Sequence, residues 1–198
     1  MKGKFIVIEG IDGAGLFTQS ALLAQHIKDG GRQVFLTKEP TNNIVGGLVK
    51  SVLNGDFSAS PKTLQLLFSA DRAYHLDKEI EPALERGEVV VCDRYLFSTL
   101  AYGFVSKVNY KWLRALNLNF RLPDIGIFLD VSPSTAMNRV SGEDMNIQLF
   151  DDKDKISKVR QTYLHIAREF HLKKIDGNGD MSSVSAKINA LVDKLIKK

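Results

Sequence analysis

Five short apolar runs, separated by stretches with helical periodicity, are the feature that most constrains how this chain folds. The runs are Phe5–Ile8, Val34–Leu36, Val89–Cys92, Ile125–Leu129 and Leu172–Ile175. Strands that are joined by helices pair in parallel and are buried on both faces, so they occur in a sequence as continuous apolar segments. The alternation therefore predicts an α/β fold, a doubly wound five-stranded parallel sheet with helices on both faces. A length of 198 residues fits one such domain.

Helical segments fill most of the chain between these runs. We predict a helix through Ile27 that Gly30 ends, a long helix from about Pro61 to Leu84, helices over Ser98–Phe104 and Tyr110–Asn119, one through Arg139, one over Lys153–His171, and a last one from about Ser182. Residues 141–152 are polar, acidic and aperiodic. We interpret them as a lid segment within a single domain that spans residues 1–198.

The charge and hydropathy of the chain indicate which classes of partner it binds. A net charge of +4 and a pI of about 9.1 suit anionic ligands such as nucleotides. Lysines and arginines are interspersed with acidic residues, so no basic stripe favours nucleic-acid binding. The N-terminal apolar run Phe5–Ile8 is too short for a signal peptide or a membrane span. We expect a cytoplasmic protein without nucleic-acid or membrane partners.

The single cysteine and the four histidines show no catalytic or metal-binding pattern. Cys92 has no disulfide partner within the chain, which fits a reducing compartment, and its apolar neighbours indicate a small buried hydrophobe. The histidines lack the spacing of metal ligands, and we assign all of them to helix surfaces. They are His26, His75, His165 and His171.

A glycine-rich loop follows the first apolar run and precedes the first helix. It reads Gly10-Ile11-Asp12-Gly13-Ala14-Gly15. In this context, glycines let backbone N–H groups converge on an anion at the helix N-terminus, so the loop is typical of a phosphate cradle. A tight strand-to-helix turn without a ligand is the alternative interpretation.

The residues after the loop depart from the usual phosphate-binding pattern. That pattern continues with Lys and then Ser or Thr, whereas this chain has Leu16 and Phe17. Leu16 cannot neutralise phosphate charge, and Phe17 has no hydroxyl for a magnesium ion. Thr18 offers a hydroxyl one residue later, although an ordinary first-turn threonine is the alternative. Because carboxylates and the phosphates themselves can hold magnesium, the change threatens the reaction rate more than binding.

The glycine loop lies within the motif Ile8–Gly15, and four further motifs follow it: Glu39-Pro40, Leu67–Arg72, Asp93-Arg94-Tyr95 and Val159–Leu164. In this order the motifs resemble those of the thymidylate kinases, P-loop enzymes that transfer phosphate from ATP to dTMP. Each motif alone is a weak match, but together they cover nearly the whole chain. The resemblance implies the fold of P-loop nucleoside-monophosphate kinases.

The resemblance implies a dTMP pocket built on two helices. Phe68 and Arg72 are four residues apart and share one helix face, and in the family this pair stacks on thymine and hydrogen-bonds its edge. Tyr102 matches the aromatic residue that crowds the 2′ position and favours deoxyribose. Ser98 and Thr99 match positions near the base. The alternatives are a core aromatic with a surface arginine, and a packed core ring at Tyr102.

Three further residues complete the implied dTMP site. Asp12 matches the loop carboxylate that contacts the sugar 3′-hydroxyl. Lys38 precedes the Glu39-Pro40 motif and adds positive charge near the acceptor phosphate, with a surface lysine as the alternative. We include Pro40 of that motif among the dTMP contacts.

The motif Asp93-Arg94-Tyr95 supplies most of the predicted catalytic residues. It follows an apolar strand, so Asp93 lies at the strand's C-terminal end, where ligands bind in open α/β sheets. The resemblance implies that Asp93 holds Mg²⁺ or its water and that Arg94 grips the phosphates of acceptor and donor. A carboxylate that only caps the next helix is the alternative for Asp93. The predicted catalytic residues are Asp12, Asp93 and Arg94, and Asp93 is the predicted metal ligand.

ATP is predicted to lie over the glycine loop and the start of the following helix. Its predicted contacts are Gly10, Asp12, Gly13, Ala14, Gly15, Leu16, Phe17, Thr18 and, near the adenine, Arg139. The family also needs an extra arginine from the loop or from the lid. The loop has Gly13 instead, and residues 141–152 contain no lysine or arginine. Arg94, Arg72, Arg139 and Arg160 are then the cations that remain for the transferred phosphate.

The sequence thus predicts phosphoryl transfer from ATP to dTMP with Mg²⁺, in a homodimer that the resemblance alone implies. Two alternatives remain open. One is a nucleotide-binding homologue that has lost catalysis along with the loop lysine. The other is a kinase for a different nucleoside monophosphate or a deoxynucleoside.

Overall fold

The computed structural model describes residues 3–140 and 153–196, and its five strands form one parallel sheet. The strands are β1 (Lys4–Gly10), β2 (Val34–Lys38), β3 (Val89–Asp93), β4 (Ile125–Asp130) and β5 (Lys173–Asp176). Their order in the sheet is β2-β3-β1-β4-β5, and every neighbouring pair is parallel. The predicted fold class is confirmed. The predicted lid at residues 141–152 lies outside the described residues.

Nine helices are described within these ranges. They are α1 (Leu16–Asp29), α2 (Ile44–Asn54), α3 (Pro61–His75), α4 (Glu81–Glu85), α5 (Leu96–Val105), α6 (Tyr110–Asn117), α7 (Pro133–Val140), α8 (Lys153–Glu169) and α9 (Met181–Ile196). A π-helical stretch, Leu76–Ile80, joins α3 to α4, so the predicted single helix to Leu84 consists of three segments. No described helix is long and apolar enough to cross a membrane.

The core lies between the sheet and two helix pairs. The central strands β1 and β3 are buried almost throughout, as their apolar runs predict. Helix α1 packs against α9, helix α5 packs against α8, and both pairs contact the sheet. The ring of Phe128 on β4 stacks on Tyr163 of α8, with 5.3 Å between ring centroids. This packing fixes the C-terminal edge of the sheet, where the loops that follow the strands converge.

Helix α2 was not predicted from the sequence. Its segment contains Gly46 and Gly47, which lower helix propensity. Two features compensate for them. The side chain of Asn43 caps the helix by accepting hydrogen bonds from the backbone N–H groups of Val45 and Gly46, at 2.8 and 3.0 Å. A Cβ at Gly46 would collide with Thr41, so the glycine permits a close approach that no periodicity rule detects.

The assignment of His75 to a helix surface was wrong. His75 is fully buried on α3, with its Nδ1 3.2 Å from Glu39 and its Nε2 2.7 Å from the hydroxyl of Thr37. These partners lie 36 and 38 residues away along the chain, so helical periodicity alone does not indicate burial. His171 lies just beyond α8 and not on it, whereas His26 and His165 are on helix surfaces.

Candidate active site

The glycine loop forms a backbone cradle between β1 and α1. Gly13 and Gly15 have φ of 77° and 84°, which favours glycine at both positions. At Gly10, a Cβ would come within 3.0 Å of the carbonyl oxygen of Leu129 and 3.1 Å of the Ala14 Cβ. The loop therefore leads tightly into α1, whose first N–H groups have no intrahelical partner and favour an anion.

The two residues that replace Lys and Ser/Thr differ sharply in their surroundings. Leu16 is only 5% exposed and belongs to the hydrophobic core, because it lies on the buried face of α1. Phe17, in contrast, is 68% exposed, and Thr18 is also exposed. The side chain of Leu16 is thus packed inward, and any contact of Leu16 with ATP would use its backbone N–H.

Arg94, Asp12 and Tyr102 form a tight polar cluster beside the loop. Arg94 donates to Asp12 Oδ1 at 2.6 Å and to the carbonyl oxygen of Gly10 at 2.9 Å. The hydroxyl of Tyr102 donates to Asp12 Oδ2 at 2.7 Å and accepts from the Asp12 N–H at 3.1 Å. The guanidinium carbon lies 5.5 Å from the centre of the Tyr102 ring. The sequence predicted all three residues for the site, and the fold brings them together.

The ionisation of this cluster is governed by burial and by neighbouring charge. Burial opposes the charge on Arg94, but Tyr102 and Asp12 outweigh it and hold the pKa of Arg94 above its ordinary value. Burial is also the main cause that raises the pKa of Tyr102. Arg94 has an unusual backbone as well, since its φ is 66°, and its N–H donates to Ile8 at 3.0 Å. The guanidinium of Arg94 is therefore charged. Hydrogen bonds of the Arg94 backbone and side chain both hold it in place.

Asp93 ends β3 and lines an open cleft of about 520 Å³ together with Phe17 and Lys38. Burial raises the pKa of Asp93, whereas Arg94 and Lys38 work in the opposite direction. Its Oδ1 atom is buried and has no hydrogen-bond partner among the described residues. A carboxylate oxygen that is left without a partner at the edge of an open cleft fits a magnesium ion or a magnesium-bound water.

Arg72 lies at the centre of a buried network. It is 1% exposed, and its guanidinium donates to Glu39 at 2.7 Å, to the hydroxyl of Thr99 at 3.1 Å and to Asn117. Its Nε is buried without a partner in the described structure. Phe68, one turn earlier on α3, is half-buried. The alternative of a surface arginine at position 72 is therefore excluded. The sequence did not indicate that Asn117 is a hydrogen-bond partner of Arg72.

The remaining predicted residues surround the same strand edge. Lys38 is exposed at the end of β2, Pro40 follows a cis peptide bond, and Ser98 lies in the first turn of α5. The guanidinium of Arg139 donates to the carbonyl oxygens of Gly177 and Gly179 and, at 3.4 Å, of Ala14. Arg160 pairs with Asp130 at 2.7 Å. Residues 3–140 and 153–196 contain no cluster of three or more metal-binding side chains.

One polar residue of the site was quoted only as part of a motif and received no role. Glu9 is completely buried on β1, and it contacts α5 and α8 near Arg94. Burial raises its pKa to about 7, against the opposing effects of Ser98, Arg94 and Tyr163. The available signal was an acidic residue directly after a buried apolar run, which requires buried partners.

Comparison with known proteins agrees with this geometry. The family model described as thymidylate kinase matches residues 8–188. The chain belongs to the thymidylate kinase family. It is 40% identical to a probable thymidylate kinase of Thermococcus kodakarensis over 201 residues, which cover 97% of this chain and 98% of the relative. It is 39% identical to a probable thymidylate kinase of Pyrococcus abyssi over 200 residues, with 97% of each chain covered.

A third relative extends the match. A thymidylate kinase of Ruegeria pomeroyi is 38% identical over 200 residues, which cover 96% of this chain and 94% of the relative. The family resemblance, the P-loop kinase fold and the prediction of a kinase are thereby confirmed. A nucleotide-binding homologue without activity and a kinase for another monophosphate are not favoured.

Proposed function

We propose that this protein transfers the γ-phosphate of ATP to dTMP and so produces dTDP and ADP, with Mg²⁺ as its cofactor. The observation that carries the proposal is the cluster of Arg94, Asp12 and Tyr102 beside the glycine loop. It places a fixed guanidinium next to a backbone anion cradle, at the edge of the sheet where α/β proteins bind nucleotides. The names of the relatives support dTMP as the acceptor.

In this proposal the two substrates meet at Arg94. ATP lies over residues 10–18, with Arg139 near the adenine, and dTMP lies between Phe68, Arg72, Arg94 and Tyr102. The acceptor phosphate attacks the γ-phosphate in line. The protein forms no covalent bond in such a transfer, so alignment and neutralisation of charge carry the rate.

Asp93 would hold the magnesium ion or one of its waters, and its partnerless Oδ1 supports this role. The bound ion supplies neutralisation of phosphate charge. Asp12 has a different role, because both of its carboxylate oxygens are already bonded to Arg94 and Tyr102. It orients the arginine and, as a residue of the loop itself, lies on the side of the site where the proposal puts the sugar of dTMP.

The missing loop lysine limits which cations can neutralise the transferred phosphate. Arg72 and Arg160 are each paired with a carboxylate, and the guanidinium of Arg139 binds carbonyl oxygens. Arg94 is also paired with a carboxylate, that of Asp12, but unlike Arg72 and Arg160 it borders the glycine loop, and Lys38 lines the cleft beside Asp93. We propose that these two cations carry most of the neutralisation on the protein side.

We also propose a cytoplasmic homodimer. The exposed large apolar side chains include Ile44 and Leu48, four residues apart on one face of α2, Leu66 on the neighbouring α3, and Phe57 between these helices. Such a surface suits burial against a second copy. The free, buried thiol of Cys92 fits a reducing compartment.

The test is steady-state conversion of dTMP and MgATP to dTDP and ADP by the purified protein. An Arg94→Ala variant is expected to lose turnover by at least about a hundredfold, because it removes a fixed charged donor. Arg86→Ala is the matched control, since Arg86 pairs with Glu88 on the surface, and it should retain wild-type turnover. If both variants retain turnover, the activity comes from a contaminating kinase.

A panel of acceptors tests the base. dTMP, dUMP, dCMP and dGMP are compared under the same conditions, and the dTMP assignment predicts the highest kcat/KM with dTMP. Equal turnover of several bases would contradict that assignment. Absence of turnover, with dTMP still bound in calorimetry, would instead favour a nucleotide-binding protein without catalysis.

A further inference from the structure

In the described structure, Glu9 has a completely buried carboxyl group next to the phosphate loop. The proposed reaction does not use this group. It lies on β1, one residue before Gly10, with 0% exposure. A buried carboxyl group is costly unless hydrogen bonds satisfy it. Its partners therefore reveal what the residue does.

One carboxylate oxygen of Glu9 caps helix α5. Oε1 accepts from the backbone N–H of Tyr95 at 2.9 Å and from that of Ser98 at 3.2 Å. Tyr95 is the N-cap of α5 and provides no side-chain cap of its own, and Ser98 is the third helical residue. These are the two N–H groups that a capping box normally satisfies from within the helix. Here a single oxygen from a neighbouring strand satisfies both, and its negative charge suits a helix N-terminus.

The second carboxylate oxygen of Glu9 is connected to Arg94 through the hydroxyl of Ser98. Oε2 accepts from the Ser98 hydroxyl at 2.7 Å and from the Tyr163 hydroxyl at 2.9 Å. The same Ser98 oxygen accepts a hydrogen bond of 3.2 Å from the Arg94 guanidinium, whose other contacts are Gly10 and Asp12. A continuous chain of hydrogen bonds thus runs from Glu9 through Ser98 to Arg94.

We propose that Glu9 is a positioning residue for dTMP phosphorylation, because its carboxylate holds Ser98 at the start of α5 and thereby aims the Arg94 guanidinium. This inference rests on the function proposed above. Glu9 does not touch the substrates in this scheme. It acts only through Ser98 and Arg94, and Tyr163 ties the same carboxylate to α8.

The ionised form of Glu9 is the form that fits its surroundings. All four groups that contact its oxygens are positioned as donors, so a proton on the carboxyl group would require at least one of them to turn away or break. The charged and titratable groups that face it are Arg94, the hydroxyl of Tyr163 and the thiol of Cys92. Since burial raises the pKa of Glu9 to about 7, the positioning is lost as the pH falls through neutrality.

Stability should change with pH in the opposite direction. The pKa of Glu9 is about 7 in the folded protein, against 4.5 without the influence of the fold. The folded state therefore binds the proton more tightly than the unfolded chain does. The contribution of Glu9 to stability is fully present below about pH 4.5 and is lost as the pH rises through about 7. Activity is thus expected to rise over the same range in which this contribution falls.

The experiment compares wild type, Glu9→Gln and Glu169→Gln between pH 5.5 and 9. Glu169 also accepts from a tyrosine hydroxyl and an arginine, but at the surface end of α8, so it is the matched control. At pH 8, Glu9→Gln should lower kcat/KM for dTMP about tenfold to a hundredfold through misalignment of Arg94. Titration of one group with a pKa of about 7 changes kcat/KM about tenfold between pH 6 and 8. Only wild type and Glu169→Gln should show this change.

Two complications are controlled by comparison between variants. The phosphate of dTMP itself titrates near pH 6, but it does so equally for every variant, so the ratio of wild type to Glu9→Gln isolates Glu9. Urea denaturation at pH 5.5 and pH 8 adds an independent readout, because Glu9→Gln should remove the part of the pH dependence that Glu9 causes. A variant that is less stable but retains the wild-type pH–rate profile would overturn the inference.

A second variant keeps the test decisive if Glu9→Gln does not fold. Tyr163→Phe removes one donor that lowers the pKa of Glu9, so the midpoint of the pH–rate profile should move to higher pH. An unmoved midpoint would contradict the positioning role. If the wild type shows no turnover, the proposed function itself fails. Calorimetry with dTMP at pH 6 and pH 8 then tests Glu9. Glu9→Gln should bind dTMP more weakly than wild type at pH 8, and the ratio of the two affinities should shrink at pH 6, whereas an affinity equal to that of wild type at both pH values would overturn the inference.

Discussion

The glycine loop and the polar pocket around Arg72 and Arg94 are built in two different ways. The loop consists mainly of backbone, since glycines with positive φ bring N–H groups together and the side chains of Leu16 and Phe17 are apolar. The pocket consists of charged side chains that are already bonded before a ligand enters, as the partners of Arg72 and Arg94 show. The same active site thus combines a surface that needs few side chains with one that depends on each of them.

This difference predicts how the unusual residues after the glycines affect the site. A backbone cradle attracts an anion through its N–H groups and the helix dipole whatever the neighbouring side chains are. The absence of a lysine at position 16 therefore leaves the fold and the backbone cradle intact, and we expect it to affect the reaction rate more than binding. In the pocket around Arg72 and Arg94, by contrast, removing one member leaves a buried charge or donor without its partner, and we expect this to lower stability.

The largest expected effect comes from breaking the pocket at Arg72. Arg72→Met keeps much of the side-chain volume but leaves Glu39 buried and without its arginine. We expect a loss of about 3–5 kcal/mol in the free energy of unfolding, the usual cost of removing one member of a buried ion pair. Urea denaturation at equal protein concentration measures it, and calorimetry should show weaker dTMP binding.

The matched control is a second Arg–Glu pair in the same protein. Arg121 forms two hydrogen bonds with Glu81, but both side chains are exposed to solvent by more than a third. Arg121→Met should therefore cost no more than about 1 kcal/mol, as surface pairs do. Equal losses in the free energy of unfolding for the two variants would show that the buried network around Arg72 stabilises the fold no more than a surface ion pair does.

The sequence predicted the strands and the loop because their signals are local. An apolar run such as Val89–Cys92 indicates a buried strand without any knowledge of its partners, and glycines at fixed spacing indicate the loop. The order of motifs then predicted that Asp12, Arg94 and Tyr102 belong to one site. The fold brings these residues together although Asp12 is 82 and 90 residues away from the other two.

The features that the sequence did not predict depend on distant partners. His75 is buried because Glu39 and Thr37 accompany it, and Glu9 is buried because α5 and α8 supply four donors. Helix α2 depends on the close approach of Gly46 to Thr41. In each case a polar or flexible residue is stabilised by a contact across the fold, and patterns along the chain do not contain that information.

The next prediction in order of size concerns the glycine loop and tests whether its missing lysine limits the rate. Leu16→Lys together with Phe17→Thr restores the usual residues after the glycines. If the loop has only lost function, kcat should rise by about tenfold or more, because a preorganised charged donor is regained. If Lys38 and Arg94 have taken over the neutralisation, the same variant should gain little or lose activity. Steady-state kinetics with MgATP and dTMP measure the outcome.

Burial of Leu16 requires a control for this experiment. Position 16 lies in the core, so a lysine there also disturbs packing. Leu16→Met with Phe17→Thr introduces a long apolar side chain without charge, and it should leave kcat close to the wild-type value. A rise in kcat for this control as well would mean that removing Phe17, and not adding the charge, accelerates the reaction.

The smallest expected effect is a change in the free energy of unfolding at Phe17, which lies outside the core. Because its side chain is 68% exposed, Phe17→Ser should change the free energy of unfolding by no more than about 0.5 kcal/mol. Phe128→Ala, at a fully buried position on β4, should cost about 3–5 kcal/mol in the same urea titration. A loss well above 1 kcal/mol for Phe17→Ser would mean that Phe17 is packed in solution, and only a loss that depends on protein concentration would identify a second copy of the chain as its partner.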